Sequence, residues 1–256
     1  MQKSSSWEGS AEWYDKIVGE KGHYFHEHLI LPYILKLKPK KVLDIACGQG
    51  ILARHLPPTS EYLGIDISPT LIASAKKYKT PCKANFLVKD ATKELDLKGQ
   101  FTHATVILAL QNIEEPLKVF ENAHKYLEPG GKLLLILNHP CFRIPRQSSW
   151  QTDPQKKMQY RRLDRYMSSL KIPIQTHPGT TSSDTTYSFH HPLSAYTHWL
   201  HTTGFTINLI DELCSDKKST GPMAKAEDTA RREFPLFLTI LAEKRPGTGS
   251  HAGSGS

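Results

Sequence analysis

The amino-acid sequence predicts an α/β fold, in which a mostly parallel β-sheet carries helices on both faces. Strand and helix patterns alternate from Lys41 onward, which is the order that produces parallel sheets. The middle of each of the first five predicted strands is apolar on both faces, as buried parallel strands are. These strands are Lys41–Ile45, Glu61–Asp66, Ala84–Val88, Phe101–Leu108 and Lys132–Leu137.

Two of the intervening helices have clear starting signals. Ser68 is a good N-cap and Pro69 a good first helical residue, so a helix is predicted to begin there. A second helix is predicted from Glu115-Pro116 through Tyr126, because its apolar residues recur on one face. A Pro-Gly-Gly sequence then predicts a turn before the fifth strand.

Two segments outside this core are predicted to cover the sheet. Residues 1–40 are predicted to form a helical lid, with apolar residues at helical spacing from His23 to Lys36 and a bend at Pro32. Residues 139–188 lose the periodicity and contain five prolines. A stretch of this kind within a compact domain usually serves a function, so we expect the insertion to cover a substrate.

The α/β pattern resumes after the insertion, so residues 1–246 are expected to form a single domain. The Gly/Ser-rich residues 247–256 have nothing to bury and are predicted to be a disordered tail or an added linker. The elements predicted after the insertion are a helix over residues 191–204, a sixth strand over 205–213, a helix over 223–232 and a seventh strand over 235–242.

Composition narrows the class of protein. The 256 residues suffice for one α/β domain with an elaboration or for two small domains. The chain has no run of about 18 apolar residues and no apolar signal segment at its N-terminus, so neither a membrane span nor secretion is expected. The four scattered cysteines form no Cys-x-x-Cys pair, which predicts reduced thiols in a cytoplasmic protein, without disulfides or a metal site.

The chain is basic, with a formal net charge of +8. Such a charge is compatible with a nucleic-acid partner, with an anionic substrate or with solubility alone. The densest basic segment, residues 155–166, interleaves Lys and Arg with tyrosines, as in segments that hold phosphates and stack bases. The alternative is a solvated helix face in which Asp164 supplies an ion-pair partner.

The turn after the first strand is the most informative motif. Gly48, Gly50 and Ala53 fit the pattern G-x-G-x-x-G/A, which also occurs in NAD enzymes. Asp44 ends the strand four residues before the first of these glycines. A carboxylate aimed at this turn would repel a pyrophosphate but would attract a cationic α-amino group. The ligand is therefore predicted to carry an ammonium group.

Two more acids end the next two strands. Asp66, 22 residues after Asp44, can accept hydrogen bonds from both hydroxyls of a ribose. Asp90 ends the third strand and can accept from an exocyclic adenine amine, while the Ala91 backbone N–H faces a ring nitrogen. Asp90 could equally be a loop residue that caps a turn. Three acids at three successive strand ends together predict a nucleoside-containing ligand.

These segments resemble the class I S-adenosylmethionine-dependent methyltransferases in order and spacing: Val42–Gly50, Gly64–Ser68, Lys89–Ala91 and Leu127–Leu133. The resemblance covers roughly Tyr14–Leu137 and the last two strands. It implies a Rossmann-like sheet of seven strands, the last of them inserted antiparallel. It also implies the cofactor S-adenosylmethionine, which methyl transfer converts to S-adenosylhomocysteine.

The resemblance further implies that Asp44 and the glycine turn hold the methionine part of the cofactor, Asp66 its ribose and Asp90 its adenine. Ala46 departs from the family pattern, which has a glycine here, but its side chain is small and binding is expected to survive. The residues expected to bind the cofactor are Tyr14, Tyr24, Asp44, Ala46, Cys47, Gly48, Gly50, Asp66, Ile67, Asp90, Ala91 and Leu108.

The acceptor is predicted to be a small molecule with an O, N, S or C nucleophile. The segment Ile107–Ile113 lacks the Asn/Asp-Pro-Pro-Tyr/Phe motif of enzymes that methylate planar nitrogens and resembles small-molecule methyltransferases, including those of quinone biosynthesis. Three alternatives remain open: an RNA methyltransferase that uses the basic insertion, a non-catalytic protein that binds S-adenosylmethionine and, least favoured, an NAD enzyme.

Catalysis of methyl transfer is expected to rest mainly on positioning, which can supply ~7–11 kcal/mol. His139 directly follows the fifth strand and is the candidate base, although it could also simply pack on Pro140. Arginines after this strand could clamp an acceptor carboxylate or phosphate. The candidates for acceptor binding are His28, Asn112, Arg143, Arg146 and Tyr160.

Overall fold

The structure, a computed structural model, describes residues 8–175 and 185–246. Strands in these residues are β1 (Lys41–Ile45), β2 (Glu61–Asp66), β3 (Lys83–Val88), β4 (Phe101–Ile107), β5 (Leu127–Asn138), β6 (Ser148–Asp153), β7 (Met158–Leu163), β8 (Leu170–Gln175), β9 (Thr185–His190), β10 (Phe205–Leu213) and β11 (Phe237–Lys244). The α-helices are α1 (Ala11–Val18), α2 (Leu31–Lys36), α3 (Pro69–Ala75), α4 (Pro116–Tyr126), α5 (Leu193–Thr202) and α6 (Ala224–Glu233). Shorter helical turns lie at Glu8–Ser10, His26–Ile30, Leu52–Arg54 and Leu110–Asn112.

Seven of these strands form one sheet in the order β10-β11-β5-β4-β1-β2-β3. Neighbours from β5 to β3 are parallel, whereas β11 runs antiparallel to both β5 and β10. This topology confirms the predicted α/β fold, its seven strands and the antiparallel last strand. Strands β1, β2 and β10 also have the predicted bounds, because each is bounded by residues that break its apolar run.

The sheet separates two hydrophobic layers. Along β5, Leu133, Leu135 and Leu137 pack in one layer, whereas Leu134 and Ile136 pack in the other. This alternation is the period of two that a strand imposes on its side chains. Helices α4 and α5 cover the first layer, and α2 and α3 cover the second. Both faces of the central strands are therefore buried, and the strand ends remain accessible from one edge.

The lid differs from the single bent helix that the sequence predicts. A π-helical turn at His26–Ile30 runs into α2, and Pro32 lies in the first turn of that helix. Proline has no N–H to donate to a preceding carbonyl, so a regular α-helical ladder cannot pass through it. The wider turn before Pro32 changes which side chains face the sheet.

The insertion also differs from the prediction. Strands β6 and β7 form one antiparallel hairpin, and β8 and β9 form another. The basic segment 155–166 therefore includes a strand instead of the helix of the second interpretation, whereas the ion pair with Asp164 that this interpretation expected is present, with Arg162. Both faces of the first hairpin carry polar residues, as Gln151 opposite Tyr160 and Thr152 opposite Gln159 show, so hydrophobicity does not alternate. Residues 176–184, within the second hairpin, lie outside the described residues.

The predicted start of the lid, residues 1–7, and the predicted tail, residues 247–256, also lie outside the described residues. In the part of the chain that the structure describes, every helix is too short or too polar to cross a membrane.

Candidate functional site

A cavity of about 660 Å³ lies at the carboxyl ends of β1, β2, β3 and β4. Cavities of this size hold small molecules, and the carboxyl ends of parallel strands are where open α/β sheets bind them. The lid, the loop after β5 and the hairpin β8–β9 supply the remaining walls. Ten of the residues predicted for the site line this cavity: Tyr14, Ala46, Gly48, Asp66, Ile67, Asp90, Ala91, Leu108, Asn112 and Arg143.

Asp66 connects the end of β2 to the turn after β1. Its Oδ2 accepts the backbone N–H of Gly48 at 2.8 Å, and its Oδ1 accepts the backbone N–H of Ser68 at 2.9 Å. The side chain is nearly buried, and burial raises its pKa while these two N–H groups oppose the rise. Each carboxylate oxygen has two lone pairs, so each can still accept one hydroxyl.

The turn after β1 runs through left-handed backbone conformations. Gly50 has a φ of +72°, and a Cβ at this position would lie 2.6 Å from a ring carbon of Phe86, so only glycine fits. Gly48 has a φ of +56°. Ala46 has a φ of +58°, a conformation that costs an L-residue about 1–2 kcal/mol. The family glycine that Ala46 replaces would relieve that strain.

Asp90 both caps a turn and lines the cavity, so the two interpretations of this residue are compatible. Its Oδ1 accepts the backbone N–H of Thr92 at 2.8 Å and the Thr92 hydroxyl at 2.7 Å. These two bonds fix the orientation of the carboxylate. Among the described residues, Oδ2 accepts no hydrogen bond. That oxygen is available to a ligand that brings a donor, and the neighbouring Ala91 lies on the same wall.

The structure places Asp44 outside the cavity wall, although the sequence predicts that it contacts the ligand. The side chain is 2% exposed, and its two oxygens accept the Tyr62 hydroxyl and the Thr105 hydroxyl, each at 2.7 Å. Burial raises its pKa to about 6. Because Tyr62 lies on β2 and Thr105 on β4, Asp44 ties β1 to both neighbouring strands behind the turn.

His139, the predicted base, is likewise placed outside the cavity. Its ring is 5% exposed, and Nδ1 accepts the backbone N–H groups of Cys141 at 3.2 Å and Phe142 at 3.3 Å. Nε2 lies 2.7 Å from a carboxylate oxygen of Glu212 and donates its proton to it. Burial lowers the pKa of the imidazole. A neutral ring with both nitrogens engaged holds the loop after β5 in place.

The lid contributes different residues from those predicted. Tyr24 stacks on His28 with ring centroids 4.1 Å apart, and both side chains lie beside Asp216, away from the cavity. His23 and Phe25 line the cavity instead. The remaining predicted residues that the structure places outside the cavity are Cys47 and Gly50, buried beneath the turn, and Arg146 and Tyr160, exposed near the first hairpin.

Sequence reasoning missed several wall residues. Asn138 ends β5, so the rule that strand ends face the crevice could have found it. Lys171 and Ile174 belong to β8, and no periodic signal marked that strand. The wall residues absent from the prediction include His23, Phe25, Lys89, Thr92, Gln111, Asn138, Lys171, Ile174, Ser188 and Phe237.

Part of the cavity lining is apolar. The rings of Phe25 and Phe237 meet edge to face with centroids 5.7 Å apart, and Ile174 also lines the cavity. Gln111 donates from Nε2 to the Leu108 carbonyl at 2.7 Å, while its Oε1 is buried without a partner among the described residues. Because this oxygen is sealed from the cavity, Gln111 lines the wall through its other atoms.

Comparison with known proteins agrees with this geometry. A family model described as a methyltransferase domain matches residues 43–135. The crystal structure of an S-adenosylmethionine-dependent methyltransferase from Mesorhizobium loti is 25% identical, with a TM-score of 0.61, over 83% of this chain and 96% of that one. A structure from Listeria monocytogenes with the same description, qualified as putative, is 24% identical with a TM-score of 0.62 over 83% and 97%, and shows the fold.

Two curated relatives match over shorter stretches. A demethylmenaquinone methyltransferase from Lactococcus lactis is 30% identical over 146 residues, which cover 53% of this chain and 58% of the relative. A ubiquinone biosynthesis O-methyltransferase from Pseudomonas aeruginosa is 30% identical over 103 residues, or 39% and 44%. The chain spans about half the length of the curated relatives it matches. The motifs, the fold and these matches together identify residues 43–135 as a methyltransferase domain that is similar to those of the class I S-adenosylmethionine-dependent methyltransferases.

Proposed function

We propose that this protein transfers a methyl group from S-adenosylmethionine to a small-molecule acceptor. The observation that supports the proposal is that three structural features line the same cavity. These are the glycine turn after β1, the carboxylate of Asp66 at the end of β2 and the Asp90-Ala91 pair after β3. A nucleotide-like ligand across adjacent strand ends is the use that such an arrangement supports.

The residues present fit the cofactor. Asp66 keeps free lone pairs for two ribose hydroxyls, and Oδ2 of Asp90 is free to accept from an adenine amine. Tyr14 lies against the glycine turn, where an aromatic face favours a cation. When bound, S-adenosylmethionine supplies a methyl group on a sulfonium sulfur. Asp44 contributes only its charge from behind the turn.

The chain's own part in the reaction is to orient the acceptor and to exclude water. His23 accepts the Phe25 backbone N–H at Nδ1, at 3.2 Å, so the neutral ring carries its proton on Nε2. Burial lowers the pKa of this ring, which keeps it neutral. His23 can therefore donate a hydrogen bond to an acceptor but is a poor proton acceptor. Positioning, worth ~7–11 kcal/mol, is the main catalytic effect in this proposal.

The walls favour a small, partly aromatic acceptor over RNA. Phe25, Phe237 and Ile174 offer apolar faces for a ring, and the names of the two curated relatives refer to quinone compounds. In the basic hairpin, Arg161 donates to the Phe142 carbonyl and the Ser148 hydroxyl, and Arg162 pairs with Asp164. These internal partners reduce the charge available to a phosphate backbone.

The proposal is tested by incubating the protein with S-adenosylmethionine and a panel of phenols, quinols, amines and thiols. The formation of S-adenosylhomocysteine is measured by mass spectrometry, with bulk transfer RNA as a parallel sample. We expect turnover with at least one small molecule, none with RNA and strong loss in Asp66→Asn. Turnover with RNA alone would support the RNA alternative. Tight cofactor binding without turnover on any acceptor would support a binding protein.

A further inference from the structure

We propose that Arg143 binds a carboxylate of the acceptor, so that the substrate is a small organic acid with an apolar body. This inference rests on the proposed function, because it assigns the chemistry of the acceptor half of the same cavity. The inference adds that the acceptor carries a negative charge and that Arg143 is the residue that binds this charge.

Arg143 is a cation of the cavity lining for which the described residues supply no ion-pair partner. It lies on the loop after β5 and lines the wall together with Asn138 and Pro145. Within residues 8–175 and 185–246, no hydrogen bond or ion pair engages its guanidinium. The side chain is exposed, so its N–H donors are accessible from the cavity that it lines. An anion that enters the cavity would meet a guanidinium for which the described residues supply no competing acceptor.

The neighbouring charges do not neutralise Arg143. Lys171, the other cation of this half, is paired with Glu114 at 2.9 Å and lies over the ring of Phe189. Glu115 also lines the cavity, but neither acid lies within the 4.0 Å ion-pair distance of Arg143. Arg161 adds a second positive charge close enough to lower the pKa of Arg143. The field at this wall therefore favours an anion.

The other groups around Arg143 define the rest of the acceptor. A guanidinium presents two parallel N–H donors in one plane, which match the two oxygens of a carboxylate. The side chain of Asn138 offers a neutral donor nearby, and Phe25 and Phe237 offer apolar faces. An acceptor with a flat apolar body and one carboxylate satisfies these walls, whereas an uncharged lipid-like acceptor leaves Arg143 without a partner.

The test uses matched pairs of probes that differ in one charge. Protein saturated with S-adenosylhomocysteine is titrated calorimetrically with six aryl and arylalkyl carboxylates, among them 4-hydroxyphenylacetate, and with the corresponding primary amides. We expect at least one carboxylate to bind ten times more tightly than its amide. Arg143→Gln should remove this preference, and Arg146→Gln, in the same loop but outside the cavity, should retain it.

Two results would overturn the inference. One is a panel in which no carboxylate binds better than its amide, and the other is a preference that survives in Arg143→Gln. The affinity for S-adenosylhomocysteine itself is measured first on both variants and should equal that of the wild type. If the wild-type protein does not bind S-adenosylhomocysteine, the result counts against the proposed function and not against the role of Arg143 alone. The two failures are therefore distinguishable.

Discussion

The carboxylate of Asp66 accepts the backbone N–H of Gly48 at 2.8 Å, so the acid that ends β2 also holds the turn that follows β1. Two strand ends that are adjacent in the sheet are thereby locked into one surface. The same carboxylate remains exposed to the cavity. A ligand that binds Asp66 therefore contacts a group whose orientation is already set, which lowers the entropic cost of binding.

Replacing Asp66 by Asn should weaken S-adenosylhomocysteine binding by about 10- to 100-fold. The substitution keeps the shape but removes the charge and one acceptor site, and hydrogen bonds to charged groups contribute about 1.5–3 kcal/mol. Isothermal titration calorimetry measures the change. Asp211→Asn, at an exposed carboxylate on β10, is the matched control and should bind as the wild type does. Equal affinities in both variants would exclude Asp66 from the site.

Because Ala46 has a φ of +58°, replacing it by glycine should stabilise the protein and replacing it by a β-branched residue should destabilise it. Ala46→Gly removes about 1–2 kcal/mol of strain but adds freedom to the unfolded chain, so a net gain of up to about 1 kcal/mol is expected. Ala46→Val places a β-branched residue in the same conformation and should lose at least about 1 kcal/mol. Urea unfolding measures both. A glycine variant less stable than the wild type would contradict strain at this position.

The buried Asp44 should make stability depend on pH between about 4 and 6. Burial raises its pKa from 3.8 to about 6, so the folded protein binds this proton more tightly than the unfolded chain does. The free energy of unfolding therefore falls as the pH rises through this range, by up to about 3 kcal/mol.

The neutral variant Asp44→Asn lacks this titration and serves as the reference for it. Urea unfolding of both proteins at several pH values gives the difference in their free energies of unfolding. The free energy of unfolding of the wild type should fall relative to that of Asp44→Asn as the pH rises from 4 to 7. A difference that stays constant over this range would show that Asp44 titrates normally.

His139→Gln should reduce turnover by less than about tenfold once an acceptor is known, because the residue lies outside the cavity. Loss of a general base would cost about 10²–10⁴-fold and would change the pH profile of the rate. Stability should fall by about 1–2 kcal/mol, since the substitution disturbs buried hydrogen bonds in the loop after β5. A hundredfold loss of turnover with normal stability would restore His139 as the base.

The core of the fold could be predicted because its signals are local. Strands β1 and β2 are apolar runs with Asp at or next to their last residue, and the predicted starts of α3 and α4 are marked by Pro69 and Pro116. The hairpins β6–β7 and β8–β9 could not be predicted in the same way. Both faces of β6–β7 carry polar residues, and β8 contains Pro173, so neither hairpin shows the alternating pattern that marks a half-buried strand.

The cavity lining was predictable where a strand end determines it and unpredictable where side-chain contacts within the sheet do. Asp66, the last residue of β2, and Asp90 line the cavity as expected. Asp44 lies one residue before the end of β1, where it pairs with Gly64 of β2, and its side chain meets Tyr62 and Thr105 within the sheet. The sequence does not show which hydroxyls the neighbouring strands place near this carboxylate, so its contacts could not be predicted.

The cavity at the strand ends is expected to bind an adenosyl cofactor of methyl transfer. The most direct test is a calorimetric titration of the wild-type protein with S-adenosylhomocysteine and, separately, with NADH. We expect saturable binding of S-adenosylhomocysteine and no binding of NADH, because the carboxylate of Asp66 occupies the Gly48 N–H and its charge repels a pyrophosphate at the glycine turn. Binding of NADH without binding of S-adenosylhomocysteine would exclude the adenosyl cofactor of methyl transfer from this cavity.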